Sequence, residues 1–241
     1  VQAWDKIPDT AKDADGAYYA DYTGIMSVGW NADKYGDISS LDDLLDPKFA
    51  GTVALNGKPA EAGAAFNGYL MANQLAGGDI NNLQPGLDYF KKLKEAGNLT
   101  TVDVTNGTID SGQTGVVFDW TYNQASYKKE LKDKGVNWKY KTFPKAQVVS
   151  YYNQAINKDA PHPAAARLWE EYLYTADAQN LWFKGGANPV LLDSMKEDGT
   201  VDQATLKDAI TIEGEPVSYT NDDSTRITEW LQNNWDKTIG N

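Results

Sequence analysis

Short apolar runs alternate along this chain with longer stretches in which apolar residues return every three or four positions. "GIMSVGW" (24–30), "GTVALN" (51–56) and "TGVVFDW" (114–120) are bounded by turn residues, and each predicts a strand. "WKYKTF" and "VVSYYNQAIN" (148–157) predict two more, and a short strand is expected around 100–104. Helical spacing governs "EAGAAFNGYLMANQLAG" (61–77), with Phe66, Leu70, Met71 and Leu75 on one side and Gly77 as the stop. It governs 82–97 as well, where Leu87, Tyr89, Phe90 and Leu93 oppose a lysine face. Helices are also predicted over 123–135, 162–175, 176–186, 201–210 and 222–237, with Asp159 or Thr175 as a cap and Gly185-Gly186 as a stop. In "ISSLDDLLDPKF", Ser39 or Ser40 is expected to cap a short helix that Pro47 ends. Residues 1–23 read as irregular and turn-rich.

Strands alternating with helices of this length predict an α/β fold with mostly parallel sheets flanked by helices. In open sheets of this kind ligands bind beyond the carboxyl ends of the strands. That rule bears on "VVFDWTYN" (116–123), where the apolar run stops at Asp119 and Trp120, Tyr122 and Asn123 follow. These residues fall at a strand end and a helix start, so the stretch is read as the lip of a binding site, with Phe118 the last buried residue.

Composition narrows the function. The chain has 241 residues, 41% hydrophobic and 23% charged, which suits a globular protein with a sizeable core. Its formal charge of −12 disfavours nucleic acid and anionic membrane surfaces, both of which need basic clusters. The absence of cysteine excludes disulfides, thiolate metal sites and cysteine nucleophiles. His162, the one histidine, lies between two prolines at a helix entry, which leaves neither a Ser-His-Asp triad nor a zinc site well supplied. The chain begins at Val1 without an initiator methionine and reads as processed, trimmed or fragmentary, its signal peptide removed. No cofactor and no metal is called for.

Three further stretches carry candidate chemistry. The turn at 57–63 precedes a helix whose free N–H groups and Lys58 suit an anion; the competing reading is a tight turn with Gly63 for close packing. Thr105 and Asn106 either cap a short helix or donate to a ligand. On the strand 148–157, Ser150, Tyr152 and Gln154 share one face and Tyr151 and Asn153 the other, so Tyr151 and Tyr152 cannot easily ligate one ferric ion together.

The phrases "SLDDLLDPKFAGTVAL", "GIMSVGWNADKYG", "IDSGQTGVVFDWTYNQA", "AINKDAPHPAAARLWEEYLYTADAQNLW" and "GGANPV" are collinear from about residue 20 to 195. Together they resemble the solute-binding proteins of ABC importers, of the two-lobed type II periplasmic-binding kind, in the ferric-iron, polyamine and phosphonate branch. The resemblance implies lobes that close on a solute about a hinge, and delivery to a membrane permease and its ATPase. It implies an extracellular or periplasmic monomer, lipid-anchored to the cell surface in one form of the full-length protein. It also implies that the opening units of the first lobe are missing: 1–23 would be the remnant and crossover, 24–146 the second lobe, 147–190 the returning first-lobe segment, and 191–241 C-terminal helices on the second lobe.

Ligand contacts are implied at Tyr22, Thr23, Gly57, Lys58, Glu61, Thr105, Asn106, Asp119, Trp120, Tyr122, Asn123, Tyr152 and Asn188. The chain departs from each branch. Of the ferric branch's adjacent tyrosines only Tyr122 stands here. The polyamine branch's carboxylate near Tyr152 is absent, and the 57–63 turn lacks the phosphonate branch's hydroxyls. An aromatic face with a carboxylate suits a cation. The expected function is therefore capture of a small polar solute with a cationic group, Asp119 supplying the counter-charge. The alternatives are iron or an oxyanion within the family, and a hydrolytic α/β enzyme outside it.

Overall fold

The computed structural model describes residues 1–240. The chain divides into two compact units, Val1–Ile25 with Ser150–Thr211, and Met26–Val149 with Ile212–Asn241. Residues 191–211 thus fall in the first unit, where 191–241 had been expected to pack as one block on the second lobe. The reason is apolar: Leu191, Leu192, Met195 and Val201 share a core with Ile7, Tyr19 and Phe183.

The second unit is built on β1 (Tyr19–Asn31), β2 (Val53–Leu55), β3 (Val116–Trp120) and β4 (Trp138–Lys141). From Met26 onward β1 pairs antiparallel with β3 and β4, and β2 pairs parallel with β3. The strand–helix alternation is present, and the sheet is mixed rather than mainly parallel. The 13-residue β1 is responsible, because β3 and β4 both run against it. Its first half escapes hydropathy reading because Asp21 and Thr23 interrupt the apolar run, yet both are wholly buried.

Helices cover this sheet. After α1 (Ala32–Tyr35) come α2 (Gly63–Leu75), α3 (Gln84–Glu95), α4 (Asn106–Asp110) and α5 (Thr121–Lys132). Phe66, Leu70, Phe90 and Leu93 enter one core with Val28, Phe118 and Leu231, so the helical spacing marked the buried faces correctly. Two expected details differ. Residues 42–49 form two 3-10 turns: the first has no side-chain cap, although Asp43 within it accepts from the Ser39 and Ser40 amides at 2.6 and 3.0 Å, and Asp46 caps the second by accepting from the Lys48 amide at 2.9 Å. At 100–104 there is no strand: Leu99 makes one parallel bridge to Val53, after which the chain leaves the sheet.

The first unit holds Tyr19–Ile25 of β1 with β5 (Val149–Gln154, of which Ser150–Gln154 lie here) and β6 (Asn188–Pro189). Around them stand α6 (Pro163–Leu173), α7 (Ala176–Lys184), α8 (Leu192–Glu197) and α9 (Gln203–Asp208). Thr175 caps α7, its hydroxyl accepting from the Ala178 amide. The residue before α6 is His162, with no side-chain cap, so Asp159 does not serve there. The last helix, α10 (Asn221–Thr238), belongs to the second unit and opens with a capping box of Thr220 and Asp223.

Candidate functional site

In the second unit β2 and β3 run parallel and end side by side, and a hydrogen-bonded cluster forms at their carboxyl ends. Asp119 is its centre. One carboxylate oxygen accepts from Asn56 Nδ2 at 2.8 Å and Tyr127 Oη at 2.9 Å. The other accepts from Asn123 Nδ2 at 2.9 Å and the Trp120 amide at 2.7 Å. Asp119 is 0% exposed. Burial pushes its carboxyl above the usual carboxylate range, and the donors of Asn123, Trp120, Tyr127 and Asn56 pull it back. The residue expected to be an open counter-charge is thus committed to tying the β2 end, the β3 end and α5 together. Beside it the Trp120 and Tyr122 rings stack at 6.4 Å, with Trp120 buried and Tyr122 half-buried.

The 57–63 turn is also in this unit. Gly57 has φ +100°, and a Cβ there would meet the Ala62 Cβ at 2.5 Å, so both the backbone and the space call for glycine. Gly57 and Lys58 line a cavity of about 100 Å³ with Leu55, Thr100, Val102 and Trp235. Glu61 is exposed, and Ala62 leaves the N-terminus of α2 without a side-chain cap. Thr105 and Asn106 have local duties: Thr105 forms a capping box with Thr108, and Asn106 Nδ2 donates to Glu130.

The first unit carries a second constellation. Tyr22 stacks on Tyr152 at 4.8 Å and on Trp182 at 4.4 Å, with interplanar angles of 18° and 25°. Tyr152 is the exposed member at 45%. Pleating explains the pairing, since Tyr152 and Gln154 lie on the same face of β5. Thr23 is buried and its hydroxyl bonds to Ser150 O at 2.9 Å. Asn188 is buried opposite Thr23 on β6; its Nδ2 donates to Ile210 O at 3.2 Å, and its Oδ1 has no partner.

Behind the rings lies a residue that the sequence did not single out. Asp21 is wholly buried, with its oxygens accepting from Gln179 Nε2 at 3.0 Å and Gln154 Nε2 at 3.2 Å. The Trp182 indole also favours the charged form, although its Nε1–H makes no hydrogen bond of good geometry. Burial outweighs all three and raises the carboxyl from 3.8 to about 6. The folded state therefore holds the extra proton between these two values, and stability falls as pH rises through that window and is level above it. Asp21→Asn removes the penalty. The fixed Gln179 amide can still donate to the new Oδ1, while Gln154 can turn to accept from the new Nδ2. The stability gain of the variant over the natural chain is expected to grow by up to about 3 kcal/mol from pH 4 to pH 7. Denaturant unfolding of both proteins across that range measures it, and a pH-independent difference would refute it.

Thirteen contact positions were expected, and the structure gathers eight of them into three sets, while Thr23, Glu61, Thr105, Asn106 and Asn188 stand outside these. Trp120, Tyr122 and Asn123 surround Asp119, Gly57 and Lys58 line the cavity, and Tyr22 and Tyr152 share the ring stack. Asn56, Tyr127, Asp21 and Trp182 are the additions. The only sequence signals for them were the polar residue directly after a strand and the polar residue within the run before Gly24.

Residues 1–209 match the family profile of bacterial extracellular solute-binding proteins. No curated protein matches the sequence. Similar solved structures include the periplasmic binding protein AfuA from Actinobacillus pleuropneumoniae, with fructose-6-phosphate bound (19% identity, TM-score 0.69, covering 98% of this chain and 73% of that one). Another is the spermidine/putrescine ABC transporter substrate-binding protein PotD from Streptococcus pneumoniae (13%, TM-score 0.68, 98% and 75%). A third is the apo ferric ion-binding protein A of Pasteurella haemolytica (18%, TM-score 0.68, 97% and 72%). These likenesses establish the type II periplasmic-binding fold and leave the solute open, because the three proteins are associated with a sugar phosphate, polyamines and iron. With the profile covering most of its length, the chain belongs to the bacterial extracellular solute-binding proteins of ABC importers, which bind their substrates without transforming them.

Proposed function

We propose that this protein captures a small polar solute carrying a cationic group and hands it to an ABC permease. The observation that carries the reading is the ring stack of Tyr152, Tyr22 and Trp182 with the Asp21 carboxylate behind it. Aromatic faces attract cations, and a carboxylate in a region of low dielectric reinforces the attraction. The spermidine/putrescine-binding neighbour accords with this chemistry. The adjacent tyrosines expected of a ferric site are reduced to Tyr122 in the segment after β3, which disfavours iron. The Asp119 cluster serves as the scaffold that holds Trp120, Tyr122 and Asn123, and the two compact units correspond to the two lobes of the family.

A second reading is an anionic group, such as a phosphate, at the uncapped start of α2. It is favoured by the free N–H groups there and by Lys58 in the adjoining cavity.

A thermal-shift panel of diamines, amino acids, sugar phosphates, phosphonates and ferric chelates separates these readings. A solute at about 100 times its Kd stabilises the folded chain by about 2.7 kcal/mol. A shift confined to phosphates or to ferric chelate would overturn the cation reading. Tyr152→Ala is expected to weaken a cationic solute by about 1–2 kcal/mol, roughly five- to thirty-fold, while leaving the melting temperature of the free protein nearly unchanged. Calorimetric titration reads this, and equal affinity of the variant would remove Tyr152 from the site. A monomer is expected in sedimentation with and without solute.

A further inference from the structure

Asp21 is a buried charge whose neighbours are two side-chain amides and the Trp182 indole. Gln179 and Gln154 donate to it, no cationic side chain is among the groups that shift it, and its burial is complete. A carboxylate in such a place is undercompensated, because amide dipoles replace only part of its lost hydration. The same two donors tie it to the rings. Gln154 lies two positions beyond Tyr152 on β5, and so on the same face. Gln179 lies three positions before Trp182 on α7, and so one turn away on neighbouring sides. Tyr22 follows it on β1, with its side chain leaving the strand on the other face, and still feels its charge.

We propose that Asp21 is the counter-charge of the Tyr22–Tyr152–Trp182 stack, and that a cationic solute settling on these rings expels the Asp21 proton, so that capture is coupled to proton release. The inference rests on the cation reading above. Its balance is simple: the protonated carboxyl and the free cation give the carboxylate beside the bound cation, plus one proton delivered to water. Near pH 6 the carboxyl is partly protonated in the free protein, because burial has raised it that far.

The surroundings leave this titration to Asp21. From α7 it meets Gln179 and Trp182, and from β5 Gln154. Tyr22 on β1 and Tyr174 at the end of α6 also feel its charge, and burial raises both phenols above their ordinary value, so they stay neutral. Glu170 on α6 is engaged by the Tyr19 hydroxyl.

The test is isothermal titration of the whole chain with 1,4-diaminobutane and with tetramethylammonium, in phosphate and in bis-tris. At pH 6 the heat is expected to differ between buffers by an amount corresponding to about half a proton released, and at pH 8 by nothing. Cation affinity is expected to fall about ten-fold from pH 7.5 to pH 5, as the ionised fraction of Asp21 falls. In Asp21→Asn the affinity is lower, the pH profile is flat and the heat is independent of buffer. Gln154→Leu removes a donor that favours the carboxylate, so the proton-release midpoint moves to higher pH; this variant keeps the test open if Asp21→Asn folds poorly. Cation binding with buffer-independent heat at pH 6 overturns the inference and leaves the cation reading standing. Proton release that persists in Asp21→Asn belongs to another group and also overturns it. Absence of binding by both cations overturns the inference and the cation reading together.

Discussion

Asp119→Ala is expected to lower the melting temperature of the second unit by about 10 °C, equivalent to about 3–4 kcal/mol for a chain of this size. The substitution leaves Asn56 Nδ2, Asn123 Nδ2, Tyr127 Oη and the Trp120 amide without their common acceptor. Each orphaned buried donor costs about 1–3 kcal/mol, but the sum is smaller because Asn56, Asn123 and Tyr127 are only half-buried and can turn to water. Asp119→Asn is expected to cost less, since one acceptor remains and the Tyr127 hydroxyl can turn to accept from the new amide. Differential scanning calorimetry of the three proteins decides this. If Asp119→Ala melts within 2 °C of the natural chain, the cluster is not a structural tie, and the counter-charge reading returns. The prediction separates two roles for one residue, because a ligand contact at the surface can be truncated with little effect on the free protein.

Gly29→Ala is expected to be of similar size, about 3 kcal/mol or more. Gly29 lies mid-strand in β1, between Val117 of β3 and Tyr140 of β4. A Cβ there would stand 2.0 Å from Gln124 Oε1 and 2.8 Å from Trp138 Nε1. Gln124 cannot simply step aside, since its Nε2 donates to Val117 O at 3.0 Å and its Oε1 accepts from Trp138 Nε1 at 2.8 Å. Both side chains are essentially fully buried. The added methyl therefore breaks a satisfied polar bridge or bends the central strand. Adding Gln124→Ala relieves the collision, so the double variant is expected to lose clearly less than the sum of the two single ones. Strict additivity in denaturant unfolding would mean that the crowding is absorbed elsewhere.

Much of the secondary structure was legible because its signals are local. The returns of Phe66, Leu70, Leu87 and Leu93 mark the helix faces that enter the core, and Thr105 announces the cap of α4. Pairing direction was less legible. Apolar runs resemble one another whether their neighbours run parallel or antiparallel, and the long β1 brought antiparallel partners to a sheet expected to be mainly parallel.

The strand-end rule put Asp119 and Trp120 at the end of β3 and Tyr122 at the start of α5, where they stand, but gave the wrong state for Asp119. An acidic residue after Phe118 looks exposed in one dimension. Its burial depends on Asn56, 63 positions earlier, and on Tyr127, one helix turn beyond Asn123. Asp21 was passed over within a segment read as irregular. Its donors are 133 and 158 positions away, and hydropathy carries no record of them.

By itself the sequence determined the alternation of strands and helices, the family and the exclusion of thiol chemistry, since all three follow from periodicity, motif order or composition. Only the tertiary structure decided which acids are buried and what satisfies them. The cost of burying a carboxylate is met by donors from distant segments, and those donors become neighbours only when the chain has folded.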